Sequence, residues 1–148
     1  MVNNSDIIDV IRLYREFPKY NYLTDREIAI SIIPSLSLNQ YNIFRYPSTS
    51  VAYAFTNWAF LNSSVEERFL KTGILENLDW DSGNLCWHID TINTAPNKLK
   101  EIYKKSVNKI SKVINDNEYI NWIRVDVINK KIKRINKIKV STAKRKFN

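Results

Sequence analysis

Apolar residues recur along the chain in two rhythms, one of three to four residues and one of two. Ile7, Ile8, Ile11 and Tyr14 mark one stripe of a helix capped by Asn4 or Ser5 and running to about Glu16. Phe17 to Tyr22 breaks the pattern and reads as a loop. Thr24 and Glu27 are spaced as a capping box, and the helix they open carries Ile28, Ile32 and Ile33 and stops at Pro34. Gln40 to Arg45 and Val51 to Phe60 read as a hairpin around Tyr46-Pro47-Ser48-Thr49. Ser64 and Glu67 form a second capping box, for a short helix with Phe69 and Leu70 inward and Gly73 at its end. Asp81-Ser82-Gly83-Asn84 is a turn, and Leu85 to about Ile92 is a central strand. Pro96 suits the first turn of a long amphipathic helix whose inner side runs from Leu99 through Ile102, Tyr103, Val107 and Ile110 to Val113 and Ile114. Tyr119 to Ile128 reads as a strand, and Lys131 to Val140 alternates Ile with Lys or Arg, a strand with one face in water. Ser141 to Asn148 is expected as a frayed basic tail. This order predicts an α+β or α/β fold, a sheet with helices packed on it, in one domain spanning 1–148.

Composition narrows the function classes. Hydrophobic content of 44% and charged content of 26% describe a globular chain. Two glycines argue against a glycine-rich phosphate loop, and one cysteine cannot form an internal disulfide. No apolar run reaches the about 20 residues that span a bilayer, and Met1 to Asp6 lacks a signal peptide's basic start, so a soluble cytoplasmic protein is expected. The net charge of +8 is divided unevenly: residues 1–97 hold 7 Lys/Arg against 11 Asp/Glu, residues 98–148 hold 16 against 4. A C-terminal third of net +12 points to an acidic partner or, more plainly, to a solvated lysine-rich face. Nucleic acid is the weakest of the acidic partners, since no recognition motif or stacking pattern accompanies the charge.

The candidate chemistry lies in Leu85-Cys86-Trp87-His88-Ile89-Asp90, which holds the only histidine and the only cysteine. Strand alternation puts Cys86, His88 and Asp90 on one face. Such a cluster reads either as an acid–base site or as a structural polar group with satisfied hydrogen bonds. Cys86 reads as a small buried hydrophobe, and one His, one Cys and scattered acids offer no metal-ligand spacing.

Several short motifs in fixed order carry a resemblance. They are Pro34 with Asn39-Gln40-Tyr41, Val51-Ala52-Tyr53 with Trp58-Ala59, Asp79-Trp80 with Ser82-Gly83, Trp87 with Ile89-Asp90, and Ile123-Arg124-Val125-Asp126. Over about residues 15–130 the chain resembles the bacterial RTX toxin-activating lysine acyltransferases of the haemolysin-activating type. The resemblance implies a GNAT-like acyltransferase fold, a central mostly antiparallel sheet flanked by helices. It implies transfer of a fatty acyl chain from acyl carrier protein to internal lysines of an RTX-type protoxin. No bound cofactor is implied beyond the acyl-acyl carrier protein donor, and a homodimer in the cytoplasm is the usual state. Acyl carrier protein is acidic and suits the basic C-terminal third.

The family's catalytic aspartate falls on Asp90. Its catalytic histidine, two residues after a proline, is replaced by Tyr20 in Pro18-Lys19-Tyr20, and a family asparagine on the next helix falls on Ser31. Glycines common after the aspartate strand are absent from Asn93 to Asn97. Transfer to lysine requires a neutral amine, hence a proton acceptor. Tyr20 suits an acid toward the departing thiolate, and His88 is a candidate for the base role lost at position 20. Arg124 pairs most simply with Asp126 and could instead meet a donor phosphate. One or two of Trp58, Trp80, Trp87 and Trp122 could line an acyl-chain groove. The competing reading is a catalytically impaired member that acts by binding a protein partner.

Overall fold

Helices α1 (Asn4–Arg15) and α2 (Asp25–Ser37) lead into strands β1 (Tyr41–Arg45) and β2 (Ala52–Leu61). Helix α3 (Ser63–Thr72), strand β3 (Leu85–Asn93), helix α4 (Leu99–Ile110), strands β4 (Tyr119–Asp126) and β5 (Lys131–Lys139) and helix α5 (Val140–Phe147) follow. Short 3-10 turns lie at Pro18–Tyr20 and Asn77–Asp79. The computed structural model describes residues 2–20, 22–126 and 131–148, with 124–126 and 131–134 described as backbone alone. The strands form one sheet in the order β1-β2-β3-β4-β5. Every neighbouring pair is antiparallel except β3 with β4. The expected α+β fold with a mostly antiparallel sheet is therefore present, and its single parallel pair is joined through α4, consistent with a GNAT-like fold.

The two sheet faces are covered by different helices. On one, Phe55 and Ile92 pack with Val10, Leu13 and Tyr14 of α1 and Ile28, Ile32 and Leu36 of α2. The same face carries Ala59, Leu61 and Trp87 against Val65 and Phe69 of α3. On the other, Trp58, Phe60 and Cys86 pack with Val107 and Ile110 of α4 and Val140 and Ala143 of α5. All ten residues of β2 are buried because helices cover both sides of it.

Local chemistry explains most boundaries and corrects some. The Thr24–Glu27 capping box forms as expected. Helix α2 does not stop at Pro34: it runs through it to Ser37, with Pro34, Ser35 and Leu36 all buried. Packing of that last turn outweighs the hydrogen bond a proline removes. The cap of α3 is Asn62, whose side chain accepts from the Val65 N–H, not Ser64. Gly73, at φ 69, ends that helix in the left-handed region. The segment expected as a frayed tail is helix α5, because Val140 and Ala143 are fully buried against α4. Four motif residues close the end of β2. The Ser82 and Gly83 N–H groups both donate to the Phe60 carbonyl, at 2.8 and 3.2 Å. Trp80 accepts at its carbonyl from the Phe60 N–H and from Gln40 Nε2, at 2.9 and 3.0 Å.

Candidate active site

Asp90 lies on the α1 side of the sheet, half-buried, with a phenol on each carboxylate oxygen. Tyr14 donates from α1 at 2.6 Å, and Tyr20 donates from the turn after α1 at 3.2 Å. Tyr14 is buried because its position on α1 faces the core, so its hydroxyl requires a partner there. The two rings are 4.9 Å apart and tilted by 53°. Burial, then the charge of Asp90, then the hydrogen bond to it raise the pKa of both phenols well above the ordinary tyrosine value. Both therefore remain protonated donors at neutral pH.

Strand alternation does not hold through this segment. Asn57 pairs with Asp90 and Trp58 with His88, leaving Ile89 as the extra residue of a β-bulge. Ile89 packs with the α3 cluster, so Ile89 and Asp90 both face the helices α1 to α3. His88 faces the other way, its ring 6.1 Å from that of Tyr103 on α4, with Nε2 3.4 Å from the Thr91 hydroxyl. The expectation that Cys86, His88 and Asp90 share a face is thus corrected: the sheet separates His88 from Asp90. Burial lowers the His88 pKa to about 4, so the imidazole is neutral at physiological pH. Cys86 is fully buried on the α4 side, and burial pushes its thiol pKa far up, which leaves it an inert hydrophobe.

The backbone of Asp90 is held as well as its side chain. Its N–H donates to Asn57 Oδ1 at 3.0 Å, and Asn57 Nδ2 donates to Ser35 Oγ at 3.0 Å. Ser35 Oγ donates in turn to the Ile32 carbonyl at 2.9 Å. Ser31 is exposed, with its hydroxyl bonded to the Ile28 carbonyl of its own helix at 2.7 Å. The α2 residue joined to Asp90 is thus Ser35, one turn beyond Ser31. The side chains of Arg124 and Asp126, and with them the proposed ion pair or phosphate contact, lie outside the described residues.

Among the described residues, β3 and β4 pair through Cys86 with Ile120 and Trp87 with Asn121. Asn121 Nδ2 also donates to the Cys86 carbonyl at 3.0 Å. Beyond Trp87 no further ladder pair joins the two strands among the described residues, and Asp90 follows on β3.

The family model of the RTX toxin acyltransferases matches residues 2–139. The chain belongs to that family. It is also 30% identical over 106 residues to a Synechocystis sp. protein, the uncharacterized protein sll0720, covering 70% of this chain and 68% of that one.

The RTX toxin acyltransferase motifs divide into two sets. Gln40, Trp80, Ser82 and Gly83 serve the fold through the bonds that close β2, whereas Asp90 is the motif residue on which the two phenols converge. Tyr14 and Asn57 lie outside the family motifs. Each was detectable as a misfit: a tyrosine on a core stripe, and an asparagine inside a strand of apolar and aromatic residues. A cavity of about 270 Å³ between β1 and α4 lies on the other face, lined by Asn42, Phe44, Tyr53 and Lys105 among others, and is separate from Asp90. Among the described residues no three His, Cys, Asp or Glu side chains gather as a metal site, and no helix is long and apolar enough to cross a membrane.

Proposed function

We propose that this acyltransferase moves a fatty acyl group from acyl carrier protein to internal lysine side chains of an RTX-type protoxin, in the cytoplasm and as a homodimer. The observation that carries the reading is the half-buried Asp90 carboxylate held by two neutral phenols, on β3 just beyond its last ladder pair with β4 among the described residues. In the reaction the lysine nitrogen attacks the thioester carbonyl. A C–N bond forms and the C–S bond breaks. A lysine arriving as an ammonium loses two protons in becoming the amide. The first leaves before attack, and the second, shed as the amide forms, passes to the departing sulfur, which leaves as a thiol. Asp90 is the acceptor for the first, since Tyr20 holds its Oδ1 by the longer bond and an incoming ammonium can displace it. Tyr20 then serves as a hydrogen-bond donor to the charge developing on the thioester, a role its raised pKa permits. His88 takes no step, because it stands on the far side of the sheet.

The short β3–β4 ladder also suggests a route for the donor. The lysine-rich α4 and α5 lie on one face and Asp90 on the other. A carrier protein docked on the basic face can pass its extended prosthetic arm between β3 and β4. In this route, backbone groups of β3 beyond Trp87 would meet the arm's amides.

A second reading, binding without transfer, is favoured by one observation: no imidazole stands beside Asp90, and the residue at the histidine position is a weakly acidic phenol. Labelled acyl carrier protein and a protoxin fragment separate the two. Transfer by the wild type and a loss of roughly 100-fold or more in Asp90→Asn support the acyltransferase reading. Absence of transfer at every acyl-chain length, with binding retained, establishes the binding-only reading.

A further inference from the structure

Asn57 is fully buried in the middle of β2, where asparagine is disfavoured and an unpaired amide would be costly. Its two polar atoms are committed in different directions. Oδ1 accepts the Asp90 N–H, at the position where the bulge interrupts the ladder, and Nδ2 reaches Ser35 on α2. A bulge leaves a main-chain group without its ladder partner, and here a side chain supplies that partner. A strand shift of one residue would turn Asp90 onto the α4 face, where His88 lies.

We propose that Asn57 is a positioning residue: by capturing the Asp90 amide it fixes the bulge at Ile89 and so sets the sheet face from which the carboxylate is presented. The inference rests on the reading of Asp90 as proton acceptor for its functional meaning, but the geometric part stands apart from it. Ser35 is the outer end of the same device, tying the clamp to the helix that packs beside Tyr14.

Amide hydrogen exchange read by NMR on the full chain tests the clamp. In Asn57→Ala the Asp90 amide is expected to exchange at least about tenfold faster than in the wild type, while those of Phe60 and Cys86 keep their rates. Asn57→Asp retains an oxygen at the accepting position and keeps the Asp90 amide slow. Ser35→Ala, a milder change should Asn57→Ala fail to fold, accelerates the same amide selectively. In the transfer assay Asn57→Ala lowers kcat by roughly tenfold and leaves KM for the carrier within about twofold. Uniform acceleration along β3, an unchanged Asp90 amide, or equal behaviour of the Ala and Asp variants overturns the clamp. If the exchange pattern holds while Asp90→Asn transfers as well as the wild type, the clamp stands and the reading of Asp90 as acceptor falls.

Discussion

The two oxygens of Asp90 differ in what holds them, and that difference separates stability from chemistry. Tyr14 is buried and its bond is short, so Tyr14→Phe leaves a carboxylate oxygen short of a partner and is expected to cost about 1–3 kcal/mol in chemical denaturation. Tyr20 is only partly buried and its bond is longer, so Tyr20→Phe should cost under about 1 kcal/mol yet reduce transfer. Equal losses of stability in the two variants would contradict this division. His88 gives a pH-dependent counterpart. Its folded pKa of about 4 lies below the unfolded value near 6.5, so between those values the unfolded chain binds more protons. The stability it permits is complete above about pH 6.5 and falls as pH drops toward 4, by an amount of order 2–3 kcal/mol at most. His88→Gln removes this titration. Denaturation at pH 7 and pH 4.5 should show a smaller drop for the variant, and an equal drop would mean that His88 titrates normally.

At the level of elements, the turn after the 3-10 segment Asn77–Asp79 is the least forgiving part of the scaffold. A Cβ on Gly83 would lie 2.5 Å from the Leu61 carbonyl oxygen and 2.6 Å from the Asn62 nitrogen, both backbone atoms that cannot step aside alone. Gly83→Ala is therefore expected to destabilise by about 2–4 kcal/mol, read as a lowered denaturation midpoint; an unchanged midpoint would show that the turn relaxes freely. This glycine, like the Thr24 cap and the order of elements, was legible in the sequence because turn and cap chemistry is local. What the sequence left hidden is non-local. Alternation assigned His88 and Asp90 to one face, and only the pairing of Asn57 with Asp90 and Trp58 with His88 reveals the bulge that parts them. Pro34 read as a stop because nothing nearby shows that Ser35 and Leu36 are buried beyond it. The basic C-terminus read as a tail because Val140, Ala143 and Phe147 form a stripe only once α4 is there to receive it. Tyr14 read as apolar filler because its hydroxyl meets Asp90 across 76 positions of chain.

On the scale of the whole molecule, part of the excess positive charge of residues 98–148 lies on one side of the sheet, on and beside α4 and α5. Helices α1 to α3 cover one side; the lysine-rich α4 and the basic α5 cover the other. On α4 and just beyond its ends, Lys98 and Lys105 are engaged by Glu101, while Lys100, Lys104 and Lys112 have no acidic partner among the described residues. Exposed charges of this kind add little to folding, so their concentration on one face is better used in attracting an acidic surface. If the carrier protein docks there, Lys104→Glu with Lys112→Glu should weaken its binding by roughly tenfold or more at low salt, and the difference should shrink at about 0.5 M salt as screening removes the long-range attraction. The control carries the same change of net charge on the other side of the molecule, as Arg26→Glu with Lys71→Glu, both exposed positions. It should bind nearly as the wild type. Equal loss in both double variants would mean that the carrier responds to overall charge rather than to a docking face. A loss that persists undiminished in high salt would mean that the two lysines act through the fold instead.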